Sequence, residues 1–154
     1  MQRTMMLAAA AGFAFGGAPS ASAKQDAEAE VKAVVQALFD GMRRADSSVV
    51  RPLFHAKARL ITMDLANAGS PVQVEESVEG FIRMIGRPRT VVFDEQLSNI
   101  RTLIDGSLAS VWADYRFFRG TTLSHCGVDH FLLVKESGVW KIIELADTRR
   151  RENC

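Results

Sequence analysis

The chain of 154 residues has few of the features that mark specialised classes of protein. It contains two cysteines, three histidines and four prolines, and 19 Lys and Arg residues nearly balance 18 Asp and Glu residues. The lack of excess positive charge argues against a nucleic-acid-binding protein. Hydrophobic residues make up 47% and charged residues 24%. This is the composition of a globular domain, and it excludes a disordered tail, a collagen-like fibre or a coiled coil.

Motifs that would fix a reaction are also missing from the sequence. It has no phosphate-binding glycine loop, no nucleophile elbow and no zinc motif. The three histidines lack helical or strand pairing, and the two cysteines lack C-x-x-C spacing, so no metal site is expected. No cofactor is expected either. The residues alone therefore indicate a fold and a compartment but no reaction.

The first 23 residues have the three parts of a secretory signal peptide. Arg3 supplies positive charge, residues 5–15 form an uncharged run, and Ala21-Ser22-Ala23 is a cleavage site of the A-x-A type. The run is shorter than the ~20 residues that span a bilayer. Cleavage after Ala23 predicts a periplasmic or secreted single domain of residues 24–154, with no membrane partner. An uncleaved anchor or a buried helix is the alternative.

Both cysteines, Cys126 and Cys154, lie in the predicted mature chain. Export would place them where a disulfide persists. A bridge would close a loop of about 28 residues and contribute ~3 kcal/mol in the chain-entropy model. The sequence therefore favours a disulfide, with two free thiols as the alternative.

Hydrophobic periodicity predicts an α+β order of elements. Apolar residues at helical spacing predict a helix over 27–45, a short second helix after the cap residues 46–48, and a third over 75–85. A long antiparallel run that follows the helices indicates helices packed on one face of a curved sheet. Strands are predicted over 58–65, 72–74, 91–104, 108–119, 126–135 and 139–147, with a turn at 67–71 and a hairpin at Asp105-Gly106.

Strand alternation places Asp129 in an otherwise apolar line. Gly127, Phe131 and Leu133 fall on the same face. A carboxyl in such surroundings is a candidate general base, because burial moves its pKa toward neutrality. The alternative is an aspartate at the strand entrance that is bonded to Arg116 or to solvent.

Tyr115 and His55 are candidate partners of that base. His55 stands at a helix-to-strand junction, where it could instead bond backbone carbonyls. Aromatic side chains could stack on a flat ligand, although packing in the core and sheet is the alternative for them. The candidate ligand-binding residues are Trp112, Phe117, Phe131, Trp140 and Glu144.

Three segments resemble the nuclear transport factor 2-like superfamily. Residues 53–60 are similar to its L-F-H-x-x-A-x-L step from helix to strand, residues 78–82 to the start of its third helix, and residues 128–142 to its closing hairpin with G-x-W-K-I. The resemblance covers residues 27–148 and is nearest to the SnoaL-like and putative lumazine-binding groups. It implies a cone-shaped α+β fold, with three N-terminal helices on a curved antiparallel sheet, a pocket between them, and a homodimer through the sheet face.

The same superfamily holds isomerases, cyclases, dehydratases and transport factors, so the resemblance implies no single reaction. The histidine-containing ending of SnoaL-like relatives is replaced here by residues 144–148. The leading expectation is therefore an exported domain that binds a small, mostly apolar ligand without turning it over. The alternatives are a lyase, isomerase or cyclase that uses a buried carboxylate, and a dimeric interaction module.

Overall fold

The computed structural model describes residues 21–65 and 72–154. The first 20 residues of the predicted signal peptide and the predicted turn at 67–71 lie outside the described residues. The helices are α1 (Ala21–Arg44), α2 (Ser47–Val50), which continues into a 3-10 turn (Arg51–Leu53), and α3 (Val78–Ile85). The strands are β1 (Phe54–Asp64), β2 (Val72–Glu76), β3 (Phe93–Asp105), β4 (Leu108–Arg119), β5 (Thr122–Glu136) and β6 (Val139–Arg149).

The long helix α1 buries the stripe that its spacing predicts. Val31, Val35, Leu38 and Met42 are all buried, because residues three and four apart share one side of a helix. Asp46 then caps α2, since its carboxylate accepts hydrogen bonds from the backbone N–H groups of the first turn. These two helices are therefore confirmed, although α1 begins six residues earlier than expected.

The six strands form one curved sheet in the order β2-β1-β6-β5-β4-β3. Hairpins join β3 to β6 into the predicted antiparallel meander. The expectation of a wholly antiparallel sheet is corrected by β1, which pairs with β6 in parallel. Only α1 and α2 precede the first strand, so the expected group of three N-terminal helices is matched in part. The α+β class itself is confirmed.

The two faces of the sheet have different surroundings. Val111, Tyr115 and Phe131 are buried on the inner face, which packs against the helices. On the other side, here called the outer face, the side chains of Leu103 and Trp112 are 74% and 46% exposed. Burial alternates along β4, as expected for a strand with one face on the core.

The predicted disulfide is present between Cys126 and Cys154, with Cα atoms 5.6 Å apart. Beside it, the backbones of Cys126 and Arg150 exchange two hydrogen bonds. The side chain of Arg116 also donates to the backbone oxygen of Cys154 at 2.7 Å. The end of the chain is thus fastened to β5.

None of the helices within residues 21–65 and 72–154 is long and apolar enough to span a membrane.

Candidate functional site

A cavity opens between the C-terminal half of α1, α3 and the inner face of the sheet. Its outer chamber has a volume of about 310 Å³ and its inner chamber about 70 Å³. An apolar cavity with a few polar groups is the usual form of a small-molecule site. Both chambers are bounded by Met42, Phe81, Glu95, His125 and Arg149, so they are continuous.

Three carboxyl groups from three strands meet at the inner chamber. Asp129 of β5 lies directly opposite Asp147 of β6, and Glu95 extends from β3. Directly opposed residues have Cβ atoms about 5 Å apart. Asp129 is only 3% exposed, whereas Glu95 is half-buried and also borders the outer chamber. Of these three carboxyls, Glu95 is therefore the one that a ligand in the outer chamber would meet.

The carboxyl groups of Asp129 and Glu95 interact, and each changes the proton affinity of the other. Burial raises the pKa of Asp129 well above its usual range, and the nearby Glu95 raises it further. The Asp129 Oδ2 atom is buried, and no donor among the described residues reaches it. Asp129 therefore keeps its own proton and donates it to the carboxyl of Glu95.

The ionisation of Glu95 is shifted to neutral pH. Burial raises its pKa to about 7, the hydrogen bond from Asp129 opposes this rise, and the charge of Asp147 adds to it. Near neutral pH the Glu95 carboxyl is thus partly ionised, while the raised pKa of Asp129 favours the protonated form of that residue. A pair with this separation of proton affinities can act as a general base and then as a general acid.

Asp147 is held by two hydroxyl groups, unlike Asp129. Thr62 Oγ1 donates to Asp147 Oδ1 at 2.5 Å, and the Tyr115 hydroxyl lies 3.3 Å from Asp147 Oδ2. The Tyr115 hydroxyl is also 3.0 Å from the Thr148 carbonyl oxygen, so its one hydrogen is shared between two acceptors. Burial and the charge of Asp147 raise the pKa of Tyr115, which therefore stays a neutral donor. This network fixes the wall beside the carboxyl pair.

His125 borders both chambers of the cavity. Its ring packs against Phe117 with centroids 4.8 Å apart, and its Nδ1 lies 3.1 Å from Ser124 Oγ. Burial, followed by the charges of nearby arginines, lowers the pKa of His125 to about 4. The ring is therefore neutral at pH 7, where it offers one N–H donor and one acceptor.

Three of the eight predicted site residues reach the cavity. Asp129 and Tyr115 border the inner chamber, and Phe117 borders the outer one. They come together because strand alternation puts all three on the inner face. The reasoning that singled out Asp129 from its apolar neighbours thus located the right face of the sheet.

The structure does not bring His55 to the cavity. Its Nε2 lies 3.3 Å from Glu136 Oε1, and its Nδ1 accepts a hydrogen bond from the Lys57 backbone. His55 follows Phe54, which pairs with Ile142 near the start of β6, whereas the carboxyl groups gather near the end of that strand. A partnership between His55 and Asp129 is therefore replaced by one between Glu95 and Asp129.

Four predicted ligand-binding residues also lie elsewhere. Trp112 is on the outer face, and Phe131 is fully buried in the core. The indole N–H of buried Trp140 donates to Glu30 at 3.1 Å. Glu144 is adjacent to Leu145 of the inner chamber, so its side chain points to the other face, where Arg59 lies 3.8 Å away. These positions correct the expectation that Trp112, Phe131, Trp140 and Glu144 line the cavity.

Three site residues escaped the sequence analysis, namely Glu95, Asp147 and Arg149. Glu95 alternates with Phe93 and Leu97, and this is the signal of an acid in an apolar line that identified Asp129. Asp147 is the last residue of the last predicted strand, and Arg149 lies just beyond it. The positive charge of residues 149–151 is typical of a solvated chain end. The pairing of β6 with β5 on one side and with β1 on the other carries them to the cavity.

Within residues 21–65 and 72–154, no group of three or more His, Cys, Asp or Glu side chains is arranged to hold a metal ion.

Comparison with known proteins agrees with this architecture. A family model described as "Putative lumazine-binding" matches residues 26–145. No curated protein matches the chain in sequence. Among solved structures, a nuclear transport factor 2-like protein of unknown function from Shewanella baltica OS155 is 22% identical with a TM-score of 0.63, and the match covers 84% of this chain and 97% of that one.

Two further solved structures share the fold at lower identity. A protein of unknown function from Mycobacterium tuberculosis is 15% identical with a TM-score of 0.68, over 89% of this chain and 80% of that one. A protein from Streptomyces avermitilis, described as a putative dehydratase of the nuclear transport factor 2-like family, is also 15% identical with a TM-score of 0.60, over 82% and 97%. At these identities the likeness shows the fold alone.

Proposed function

Because the chain belongs to the putative lumazine-binding family of the nuclear transport factor 2-like superfamily, we propose that its cavity binds a small, mostly apolar molecule and that the Glu95–Asp129 pair moves a proton on it. The reaction class is isomerisation or elimination. The observation that carries this proposal is the pair itself, in which two interacting carboxyls lie at the floor of an open cavity with both polar and apolar walls.

Glu95 has the position and the proton affinity of the base. It borders both chambers, and its pKa of about 7 leaves a useful fraction of carboxylate at neutral pH. The Glu95 carboxylate removes a proton from a carbon next to a carbonyl group, and the electrons of the broken C–H bond move to the carbonyl oxygen. The protonated Glu95 then returns the proton to another atom, or a leaving group departs.

Asp129 and His125 have supporting roles in this scheme. A hydrogen bond from Asp129 stabilises the carboxylate form of Glu95 and so limits the rise in the pKa of Glu95. The neutral His125 ring borders the same chamber and can donate to the developing oxyanion. The description of the Streptomyces avermitilis relative as a putative dehydratase is compatible with elimination by such a pair.

Hydrogen–deuterium exchange tests this proposal without knowledge of the natural substrate. The probe is 2-tetralone in D₂O, whose α-protons are followed by ¹H NMR at pH 7. The native chain should accelerate exchange at least ~100-fold over buffer, the lower range for general base catalysis. Glu95→Gln should abolish the acceleration, whereas Glu144→Gln, which changes a half-buried carboxyl outside the cavity, should retain it.

Two results would contradict the proposal. If the native chain exchanges the α-protons only at the buffer rate, the proposed proton transfer is wrong. The alternative is then binding without turnover, which the apolar residues of the cavity also favour. Unchanged acceleration in Glu95→Gln would remove the assigned base.

We also propose that the outer face forms a homodimer. Leu103, Leu108 and Trp112 are 74%, 48% and 46% exposed on the neighbouring strands β3 and β4. Large apolar side chains grouped on an open sheet face are typical of a protein–protein contact. This surface lies on the side of the sheet opposite the cavity, so dimer formation leaves the cavity open.

Export is the proposed location of the protein. The disulfide between Cys126 and Cys154 supports an oxidising compartment. Cleavage after Ala23 would remove only the first three residues of α1, all exposed, and would leave residues 24–154 as one domain. Mass spectrometry of the protein expressed with its leader tests this, and a periplasmic product that retains Met1 would contradict it.

A further inference from the structure

The rim of the cavity carries two arginines with unused hydrogen-bonding capacity. Arg149 borders both chambers, and its Nε is buried without a partner among the described residues. Its Nη2 lies 3.7 Å from Asp147 Oδ2, which is too long for a hydrogen bond. An orphaned buried N–H is costly, so the donor is suited to a ligand atom.

Arg119 stands on the same outer chamber at the end of β4. Its guanidinium carbon is 5.3 Å from the centre of the Phe93 ring, and it forms no ion pair with any residue in the described ranges. Arg89 also stacks on Phe93, at 4.3 Å, but it donates to the backbone oxygens of Ile85 and Met42. Arg119 is thus the guanidinium beside this ring that is left for a ligand.

Most of the carboxyl groups near these two arginines already interact with other residues. Burial raises the pKa of Asp129, which favours its neutral form, and Asp147 receives hydrogen bonds from Thr62 and Tyr115. Glu76 of β2 is the other carboxylate of the outer chamber, and its charge raises the pKa of Arg149. A monovalent, planar anion fits this balance better than a phosphate dianion, whose second charge would be repelled by Glu76 and Glu95.

We infer that Arg119 and Arg149 form a carboxylate subsite, and that the ligand of this cavity is an apolar carboxylic acid. A guanidinium presents parallel N–H groups that match a planar carboxylate. The apolar body would lie against Phe93 and Phe117 of the outer chamber. This inference names the ligand class for the cavity of the proposed function and rests on that cavity, but it does not require the proton transfer.

Paired acids and amides of one shape test the subsite. Benzoate, cinnamate and indole-3-acetate are each compared with the corresponding neutral amide by isothermal titration calorimetry at pH 7.5. We expect the native chain to bind at least one acid about tenfold more tightly than its amide, which corresponds to about 1.4 kcal/mol. Arg149→Gln and Arg119→Gln should each remove most of this preference. Arg101→Gln, which changes an exposed arginine on β3 beside the outer-face residue Trp112, should keep it.

The outcomes separate this inference from the proposed function. Equal binding of acid and amide, binding of none of the three acids below 1 mM, or an acid preference that survives both cavity variants would overturn the carboxylate subsite. The Glu95→Gln variant separates the two proposals. It should lose proton exchange on 2-tetralone. It should still bind the acids at least as well as the native chain, because a negative charge is removed from the cavity. Loss of acid binding in Glu95→Gln would also contradict the subsite.

Discussion

The carbonyl of Thr148 lies where a side chain on Gly127 would have to be. A Cβ atom at Gly127 would fall 1.7 Å from the Thr148 oxygen and 2.8 Å from the Tyr115 ring. Only glycine lets β6 approach β5 this closely, and the close approach brings the Thr148 carbonyl to the Tyr115 hydroxyl. The position of Asp147, one residue earlier, therefore depends on Gly127.

Replacement of Gly127 by alanine should push β6 away and disturb the carboxyl cluster. We expect a loss of unfolding free energy of about 2–4 kcal/mol, measured by urea denaturation. Gly80→Ala is the matched control, because its added Cβ would meet Ser77 only at an ordinary 3.5 Å within α3. That control should gain up to about 1 kcal/mol from helix propensity. Equal effects of the two substitutions would contradict the close-approach argument.

Replacement of Asp129 by asparagine should change how stability depends on pH. The folded-state pKa of Asp129 is raised, so folding takes up a proton, and the stability that depends on it is full below pH 4 and falls as pH rises through the folded pKa. Between pH 5 and pH 8, the melting temperature of Asp129→Asn should therefore fall less than that of the native chain. The difference between the two falls should be about 3 °C or more. If the melting temperatures of the two chains change equally with pH, Asp129 is ionised in the folded protein and the prediction is wrong.

Reduction of the disulfide should weaken the fold without opening the sheet. Loss of the 28-residue closure between Cys126 and Cys154 should cost ~3 kcal/mol. Urea denaturation with and without a phosphine reductant measures this, and the Cys126→Ala, Cys154→Ala double variant should be insensitive to the reductant. A native chain equally stable with and without reductant would contradict a structural role for the bridge.

A charge on the outer face should separate the proposed dimer. Leu103→Glu buries an unpaired carboxylate if that face is covered, so a dimer would become a monomer. Light scattering coupled to size exclusion at 100 µM measures the mass, with Val91→Glu, an equally apolar but separate exposed site, as the control. A native chain that is already monomeric at this concentration would contradict the dimer.

The sequence predicts most of the fold because local patterns carry it. The stripe of α1, the Asp46 cap and the alternation of β4 each depend on neighbours within a few residues. The exact register between neighbouring strands is harder to predict from the sequence. The register of β3 against β4 shifts between Ser98 and Arg101, at a bulge that no local pattern locates.

The site depends on pairings that no local pattern records. Asp129 could be found because its apolar neighbours are on its own strand, whereas its proton-sharing partner is Glu95, two strands away. Asp147 and Arg149 reach the cavity only because β6 lies between β1 and β5. Glu95 carries a local signal on its own strand, but its partnership with Asp129 and the arrival of Asp147 and Arg149 depend on long-range strand order.

The central claim is that Glu95 and Asp129 share a proton at the cavity floor, and a ¹³C carboxyl titration by NMR tests it most directly. We predict that the Glu95 carboxyl titrates with a pKa of about 7 in the native chain. In Asp129→Asn the coupled second proton should disappear from the titration. Titration of both Glu95 and Asp129 near pH 4, the ordinary value for exposed carboxyls, would contradict the account.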